Sequence, residues 1–258
     1  MNQQPHDSQA KCLLITGAGR GIGAATARLA AARGWDVAIH YNRDLDAAEG
    51  VAAEVRGLGR RAWLLRADVA DDGQVQAMFA ALDSQLAGSA LGGLVNNAGV
   101  VDVAARVDEM TAARLQRMFA VNVFGTFACA REALRRMSTR HGGRGGAIVN
   151  VSSVAARLGS PGQYVDYAAA KGAVDTFTLG LAREVADENV RVNAVRPGII
   201  LTDIHASGGE PDRAAQLAPA VPMRRAGTAA EVAAAIVWLL SDEASYTTGA
   251  IVDVGGGR

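Results

Sequence analysis

A single α/β domain built on a doubly wound, mostly parallel sheet is the fold this sequence predicts, and three observations predict it. Short apolar runs alternate with long alanine-rich segments from residue 12 to residue 254. The runs are rich in β-branched residues and apolar without interruption, as strands covered on both faces must be. The first run also leads through a glycine-rich turn directly into a helical segment. Seven strands are expected, at 12–16, 36–40, 62–67, 93–97, 147–152, 190–195 and 249–254. The helical stretches between them are 21–33, 44–57, 72–87, 111–138, 164–186 and 229–241. Strand, helix, strand repeated in this way implies right-handed crossovers and helices on both faces of one sheet.

No Pro/Gly/Ser-rich linker divides residues 11–258, so they are expected to form one domain, preceded by a loose polar tail at 1–10. "HGGRGG" (141–146) is expected to end a helix and enter the next strand, because glycine relieves the chain at such turns. The least regular stretch, 202–222, carries glycines and prolines that suit a segment lying over a binding site.

Composition narrows the function. Basic and acidic residues balance at 26 each, which gives no electrostatic reason to expect nucleic acid or an anionic membrane as a partner. No apolar run approaches the roughly 18 residues that span a bilayer. Two distant cysteines, Cys12 and Cys129, lie in apolar surroundings and read as buried thiols in a reducing compartment, so a cytoplasmic location is expected. The four histidines show no ligand spacing, and no metal is expected.

"TGAGRGIG" (16–23) follows the first strand and opens the first helix. Its glycines fit two registers, one through Gly19, Gly21 and Ala24, the other through Gly17, Gly21 and Gly23. In either, missing β-carbons permit a tight turn, and the helix N-terminus favours a pyrophosphate. This is the signature of a Rossmann-type dinucleotide fold. In such folds the end of the second strand reads the adenosine ribose: an acid accepts from the 2′-hydroxyl, and a base accommodates a 2′-phosphate. Here that strand ends "IHYNRD", so Arg43 is the first charged side chain, and Arg20 in the glycine turn can reach the same phosphate. Asp44 competes but is also placed to cap the next helix. The balance favours NADP over NAD.

"NNAG" (96–99) follows the fourth strand, and Tyr167 and Lys171 form a Tyr-x-x-x-Lys pair. With the glycine turn, these motifs stand in an order and spacing that resembles the short-chain dehydrogenase/reductase family across residues 12–258. The resemblance selects the Gly17, Gly21 and Gly23 register. It implies cofactor contacts from Arg20 and Ile22 in that turn, Asn42 and Arg43 after the second strand, and Asp68 and Val69 after the third. It further implies contacts from Asn96, Ala98 and Gly99, and from Pro197, Gly198, Ile200 and Thr202 beside the nicotinamide. Tyr167 and Lys171 would contact the cofactor as well as carry the chemistry, with Ser153 binding the substrate oxygen and Asn122 supporting a proton-relay water.

Carbonyl reduction needs a hydride at carbon and a proton at oxygen, and a free phenol with a pKa near 10 is a sluggish acid–base group at neutral pH. A lysine ammonium about 4 Å away would stabilise phenolate by roughly 4 kcal/mol at an effective dielectric near 20, enough to bring that pKa to about 7 before desolvation opposes it. Spacing of four on a helix supplies the neighbourhood. Tyr164, seven residues and roughly 10 Å from Lys171, does not; it reads as a pocket wall or a packing residue. The serine is less direct, because the family's usual spacing of 13 lands on Val154. Ser153, 14 before Tyr167, implies one extra residue in the intervening loop. Gln163, Tyr164 and His205 are candidates to shape the substrate pocket.

The expected activity is therefore NADP(H)-dependent interconversion of a secondary alcohol and a ketone of a small molecule. The alternatives are a reductase of carrier-bound 3-ketoacyl chains, a sugar or polyol dehydrogenase, and a non-catalytic dinucleotide sensor. For the carrier-bound case, a basic docking patch would draw on Arg224–Arg225 and the arginines at 135–136. By resemblance the chain is expected to form a homotetramer or homodimer, with the helices at 111–138 and 164–186 packed across one interface.

Overall fold

The structure, a computed structural model, describes residues 11–86, 89–202, 208–210 and 212–258. The expected polar tail at 1–10 lies outside them. Seven parallel strands form one sheet: β1 (Cys12–Ile15), β2 (Asp36–Tyr41), β3 (Ala62–Arg66), β4 (Leu91–Asn96), β5 (Gly146–Val151), β6 (Val190–Pro197) and a last strand, β9 (Ile251–Val254). Their order across the sheet is β3-β2-β1-β4-β5-β6-β9, and every pairing is parallel. The order reverses between β1 and β4, which opens a crevice at the carboxyl ends of those strands, where ligands bind in folds of this class. Two two-residue strands that the sequence pattern does not announce, β7 (Ile200–Leu201) and β8 (Gly227–Thr228), pair beyond the end of β6.

Each strand feeds two cores. Cys12 and Leu14 pack on one face while Leu13 and Ile15 pack on the other, and all four are fully buried. That is the period of two in a strand covered on both sides, and it explains why the runs read as continuously apolar. One face carries α1 (Gly21–Ala32), α2 (Leu45–Gly57) and α9 (Ala229–Leu240). The alanines of α1, with Ala24, Ala27, Ala30 and Ala31 buried, let helices and sheet approach closely. The opposite face carries α3 (Asp72–Gln85), α5 (Gly125–Met137) and α7 (Val165–Glu184). Side chains start several of these helices: Asp44 accepts from Ala47 N–H, Asp71 from Gln74 N–H, and Thr228 with Glu231 forms a reciprocal cap on α9.

The expected single helix at 111–138 is interrupted. α4 (Ala112–Phe119) passes through a π turn (Ala120–Phe124) into α5. Asn122 accounts for the break. Its side-chain Nδ2 donates to Met118 O at 2.9 Å, the acceptor its own backbone N–H would take in an α-helix, and Thr126 Oγ1 donates to Asn122 O at 3.0 Å. Such turns collect at functional sites. "HGGRGG" does close α5 and enter β5. A four-residue helix, α6 (Ala155–Leu158), follows β5, and α8 (Arg213–Leu217) lies within the irregular 202–222 stretch. No described helix is long and apolar enough to cross a membrane.

Candidate active site

The glycine turn settles its own register. Gly17 and Gly21 have φ of +65° and +55°, in the left-handed region that favours glycine. A β-carbon on Gly23 would lie 2.4 Å from Gly17 O and 2.6 Å from Asn97 Nδ2, whereas one on Gly19 would meet nothing closer than 3.4 Å. Gly17, Gly21 and Gly23 are thus the required glycines. The first turn of α1 contains no acidic residue, so its free amides face the crevice without a competing charge. A pyrophosphate fits this cradle on shape and polarity, and Ile22 and Thr202 flank it, Thr202 against Gly21.

After β4 the structure corrects the expected asparagine. Asn96 points into the core, donating to Asn150 Oδ1 at 2.9 Å, and Asn150 in turn donates to Thr178 Oγ1. Its neighbour Asn97 takes the crevice side, as strand alternation dictates, and donates to Thr16 O and Gly17 O, both at 2.9 Å. Ala98 N–H donates to Thr16 Oγ1, so Ala98 sits against the glycine turn, and Gly99 lines the cavity described below. The Val69 side chain is buried in the core against Gly125, so any cofactor contact from this position falls to its backbone. Asp68 accepts from Ala70 N–H in the turn after β3. Asn42, Arg43 and Arg20 are exposed at the rim, with the Asp44 carboxylate engaged in capping α2.

At the other end of the crevice, β5, β6 and α7 enclose a cavity of about 380 Å³. Ser153, Tyr167 and Lys171 stand on its floor, and Pro197, Gly198 and Ile200 close one side. Ser153 is the serine that meets the tyrosine, for it is hydrogen-bonded to the Tyr167 hydroxyl while its Oγ accepts from Ala155 N–H. Ser152 turns inward and donates to Lys171 O, and Ser160 sits at φ +45° in the following turn. Gly159 and Gly162 in that turn are also left-handed, which bends the chain sharply between Ser153 and Tyr167.

Lys171 Nζ donates to Val151 O at 2.7 Å and lies 5.6 Å from the Tyr167 ring centre. The expected lowering of the tyrosine pKa is not what this geometry produces. Burial pushes the Tyr167 hydroxyl up to about 12, opposed by the Ser153 hydrogen bond, and the same burial pulls Lys171 down to about 8 despite the Asp175 charge. At the tyrosine desolvation outweighs the Ser153 hydrogen bond, and at the lysine it outweighs the Asp175 charge. Asn122 packs against Gly99 beside this floor. Its amide donates to Val100 O and Met118 O and accepts from Val100 N–H, so the side chain clamps the turn after "NNAG" and does not line the cavity.

The cavity walls are mainly apolar, from Val101, Val154, Leu158, Pro161 and Ile199, with Ser160, Gln163, Thr202, Arg213 and Arg258 adding polar edges. Tyr164 lines the mouth and is also nearly buried, so it is both wall and packing residue; its hydroxyl bonds Glu210 at 3.1 Å beneath the Arg213 guanidinium. Gln163 accepts from Arg213 Nη2 at 2.5 Å. His205 lies outside the described residues. A family model described as enoyl-(acyl carrier protein) reductase matches residues 17–258. The uncharacterized oxidoreductase YgfF of Escherichia coli (strain K12) is 54% identical over 245 residues, covering 95% of this chain and 98% of that protein. The chain is a short-chain dehydrogenase/reductase. It is thereby an enzyme of oxidoreductase class acting on CH–OH groups. Among its relatives in that family, 3beta-hydroxysteroid dehydrogenase 1 of Eggerthella lenta is 37% identical, covering 97% of this chain and 94% of that protein. The solved angucycline C-6 ketoreductase LanV with bound NADP superposes with a TM-score of 0.88 at 35% identity, covering 96% of this chain and 95% of that one.

Sequence reasoning missed Asn97 and, more completely, His40, a strand residue whose ring reaches the glycine turn. Alternation after β4 was the available signal for Asn97; His40 gave none.

Proposed function

We propose that this oxidoreductase uses NADP(H) to interconvert a secondary alcohol and an apolar cyclic ketone in the cytoplasm. The observation that carries the reading is the Ser153–Tyr167–Lys171 floor opening into one apolar-walled cavity next to the glycine turn. A bound dihydronicotinamide supplies the hydride for the carbonyl carbon. Ser153 orients the carbonyl oxygen, and the Tyr167 hydroxyl gives it the proton. Lys171 holds positive charge beneath the phenolate that forms. Relatives named for a hydroxysteroid and an angucycline support a ring-bearing ketone. The carrier-docking arginines support it from the other side: Arg136 pairs with Asp83 and Glu132, Arg135 with Glu132, and Arg225 with Glu231. Paired arginines make a poor docking patch.

Exposed Arg20 and Arg43, with Asp44 committed to its cap, support the 2′-phosphate of NADP. The enzyme is expected to reduce steroid-like or tricyclic ketones with NADPH in preference to NADH. The Arg20→Ala/Arg43→Ala double variant is expected to lose about 10- to 100-fold in kcat/KM for NADPH alone, the worth of charge-assisted hydrogen bonds. Equal use of NADH by the wild type would overturn the cofactor reading, and preference for an acyl-carrier substrate the ketone reading.

A homotetramer is the assembly we infer. Phe124 and Phe127 of the π turn and α5 are 65% and 46% exposed, and Phe127 stacks on Phe177 of α7 at 3.8 Å. Such an apolar face on two adjacent helices suits a second copy. Sedimentation of a dilute sample is expected to give four chains, and a monomer mass refutes it.

A further inference from the structure

We propose that His40 is a positioning residue of the dinucleotide cradle, whose neutral imidazole fixes the glycine turn to the adenosine end of the crevice. The inference rests on the reading of that turn as the dinucleotide site. His40 is the fifth residue of β2 and only 2% exposed. Its Nδ1 accepts from Gly17 N–H at 3.0 Å, and its Nε2 pairs with Ala67 O at 3.1 Å. A carbonyl can only accept and a backbone amide can only donate, so both bonds together require the Nε2–H tautomer. His40 O also accepts from Ala18 N–H at 2.9 Å.

One residue thus ties three strand ends together. Gly17, at φ +65°, is held by its amide from His40 and by its carbonyl from Asn97, so this pliable residue has a single setting. With the Gly17 N–H turned to the imidazole, the amides further along the turn and at the start of α1 are the ones left for an anion. The second bond reaches Ala67, next to Asp68, so the same ring sets the spacing between the pyrophosphate turn and the end of β3.

Protonation would undo this. An imidazolium has no acceptor at Nδ1 and would set an N–H against the Gly17 N–H. The charged groups on the packed elements are Arg20 in the turn, Arg43 and Asp44 after β2, and Arg66 and Asp68 at the end of β3. Both turn and strand arginines are exposed, and Asp68 is the charge that acts on the ring, favouring protonation. Burial outweighs it and holds the imidazole pKa below its ordinary 6.5. Dinucleotide affinity should therefore be full above that range and weaken as pH falls below it.

The test measures the NADPH Kd by fluorescence titration from pH 5 to pH 8 for the wild type, His40→Asn and His40→Leu, with circular dichroism confirming the fold at each pH. The Asn amide oxygen overlays Nδ1, does not titrate in this range and keeps the Gly17 bond. It is expected to bind within about twofold of wild type at pH 8 and to lose in acid only what protonation of the NADPH 2′-phosphate, with its pKa of about 6, costs every variant. The wild type is expected to lose more affinity towards the acid end than His40→Asn does, and His40→Leu to bind about three- to tenfold more weakly than His40→Asn at every pH, the worth of one hydrogen bond. If His40→Asn shows the same acid loss as the wild type, or His40→Leu binds like the wild type, the proposal fails. Should His40→Leu not fold, the comparison of wild type with His40→Asn decides alone. A wild type that binds no dinucleotide at any pH refutes the underlying reading of the site instead.

Discussion

Tyr167→Phe is expected to lower ketone reduction by about two to four orders of magnitude in kcat, the usual share of a positioned acid–base group, while NADPH still binds. The substitution removes one oxygen from a ring whose remainder packs unchanged against Ala170 and Met118. The lost group is the proton donor that meets the substrate oxygen, with Ser153 beside it. Burial raises its pKa to about 12, so the hydroxyl carries its proton across the whole physiological range. That suits reduction, where the proton is needed only as negative charge develops on the carbonyl oxygen. The phenolate left behind needs the Lys171 ammonium, whose pKa burial brings to about 8. Reduction by the wild type should then hold steady below pH 8 and fall as pH rises through it, because the neutral amine no longer stabilises phenolate. Lys171→Met should lose both most of the rate and that alkaline limb. Initial rates of NADPH consumption, read against dinucleotide Kd, check both. Near-wild-type turnover by Tyr167→Phe would remove the tyrosine from the chemistry.

The sequence made much of this frame readable, and the reasons differ by residue. The strands stood out because each must bury both faces, so Leu13, Leu14 and Ile15 read as one apolar run. The tyrosine–lysine pair stood out because a helix turns spacing into adjacency. What stayed hidden was long-range or electrostatic. Spacing cannot show that Lys171 spends a hydrogen on Val151 O, or that the site is enclosed enough to raise the tyrosine pKa rather than lower it. Both asparagines of "NNAG" carry the same side chain; alternation says that they face opposite ways, and the folded sheet shows which faces the turn and which the core. The π turn was invisible because the Asn122 side chain takes the Met118 carbonyl without breaking the apolar pattern.

Arg114→Ala is expected to destabilise the fold by about 3–5 kcal/mol, the cost of leaving a buried carboxylate without its partner. Arg114 on α4 donates to both oxygens of Asp166, at 2.7 and 3.1 Å, and to Val103 O at 2.6 Å. The Asp166 side chain is fully buried and that of Arg114 is 10% exposed, so solvent screens the pair little. The fork geometry matters as much as the charge, and Arg114→Lys should recover only part of the loss. Asp166 lies in the first turn of α7, adjacent to Tyr167, so the pair fixes where that helix begins relative to the "NNAG" side of the crevice. Arg114→Ala should therefore lower Tm by on the order of 10 °C in a chain of this size and reduce kcat at temperatures where the protein remains folded. The Arg114→Met/Asp166→Leu pair separates the two effects. Apolar side chains of similar volume restore stability without restoring the bond to Val103, so Tm should return towards wild type while kcat stays reduced. Chemical denaturation alongside initial rates reads both quantities. An Arg114→Ala variant as stable as wild type would show that water reaches Asp166 and that the start of α7 is held by packing alone.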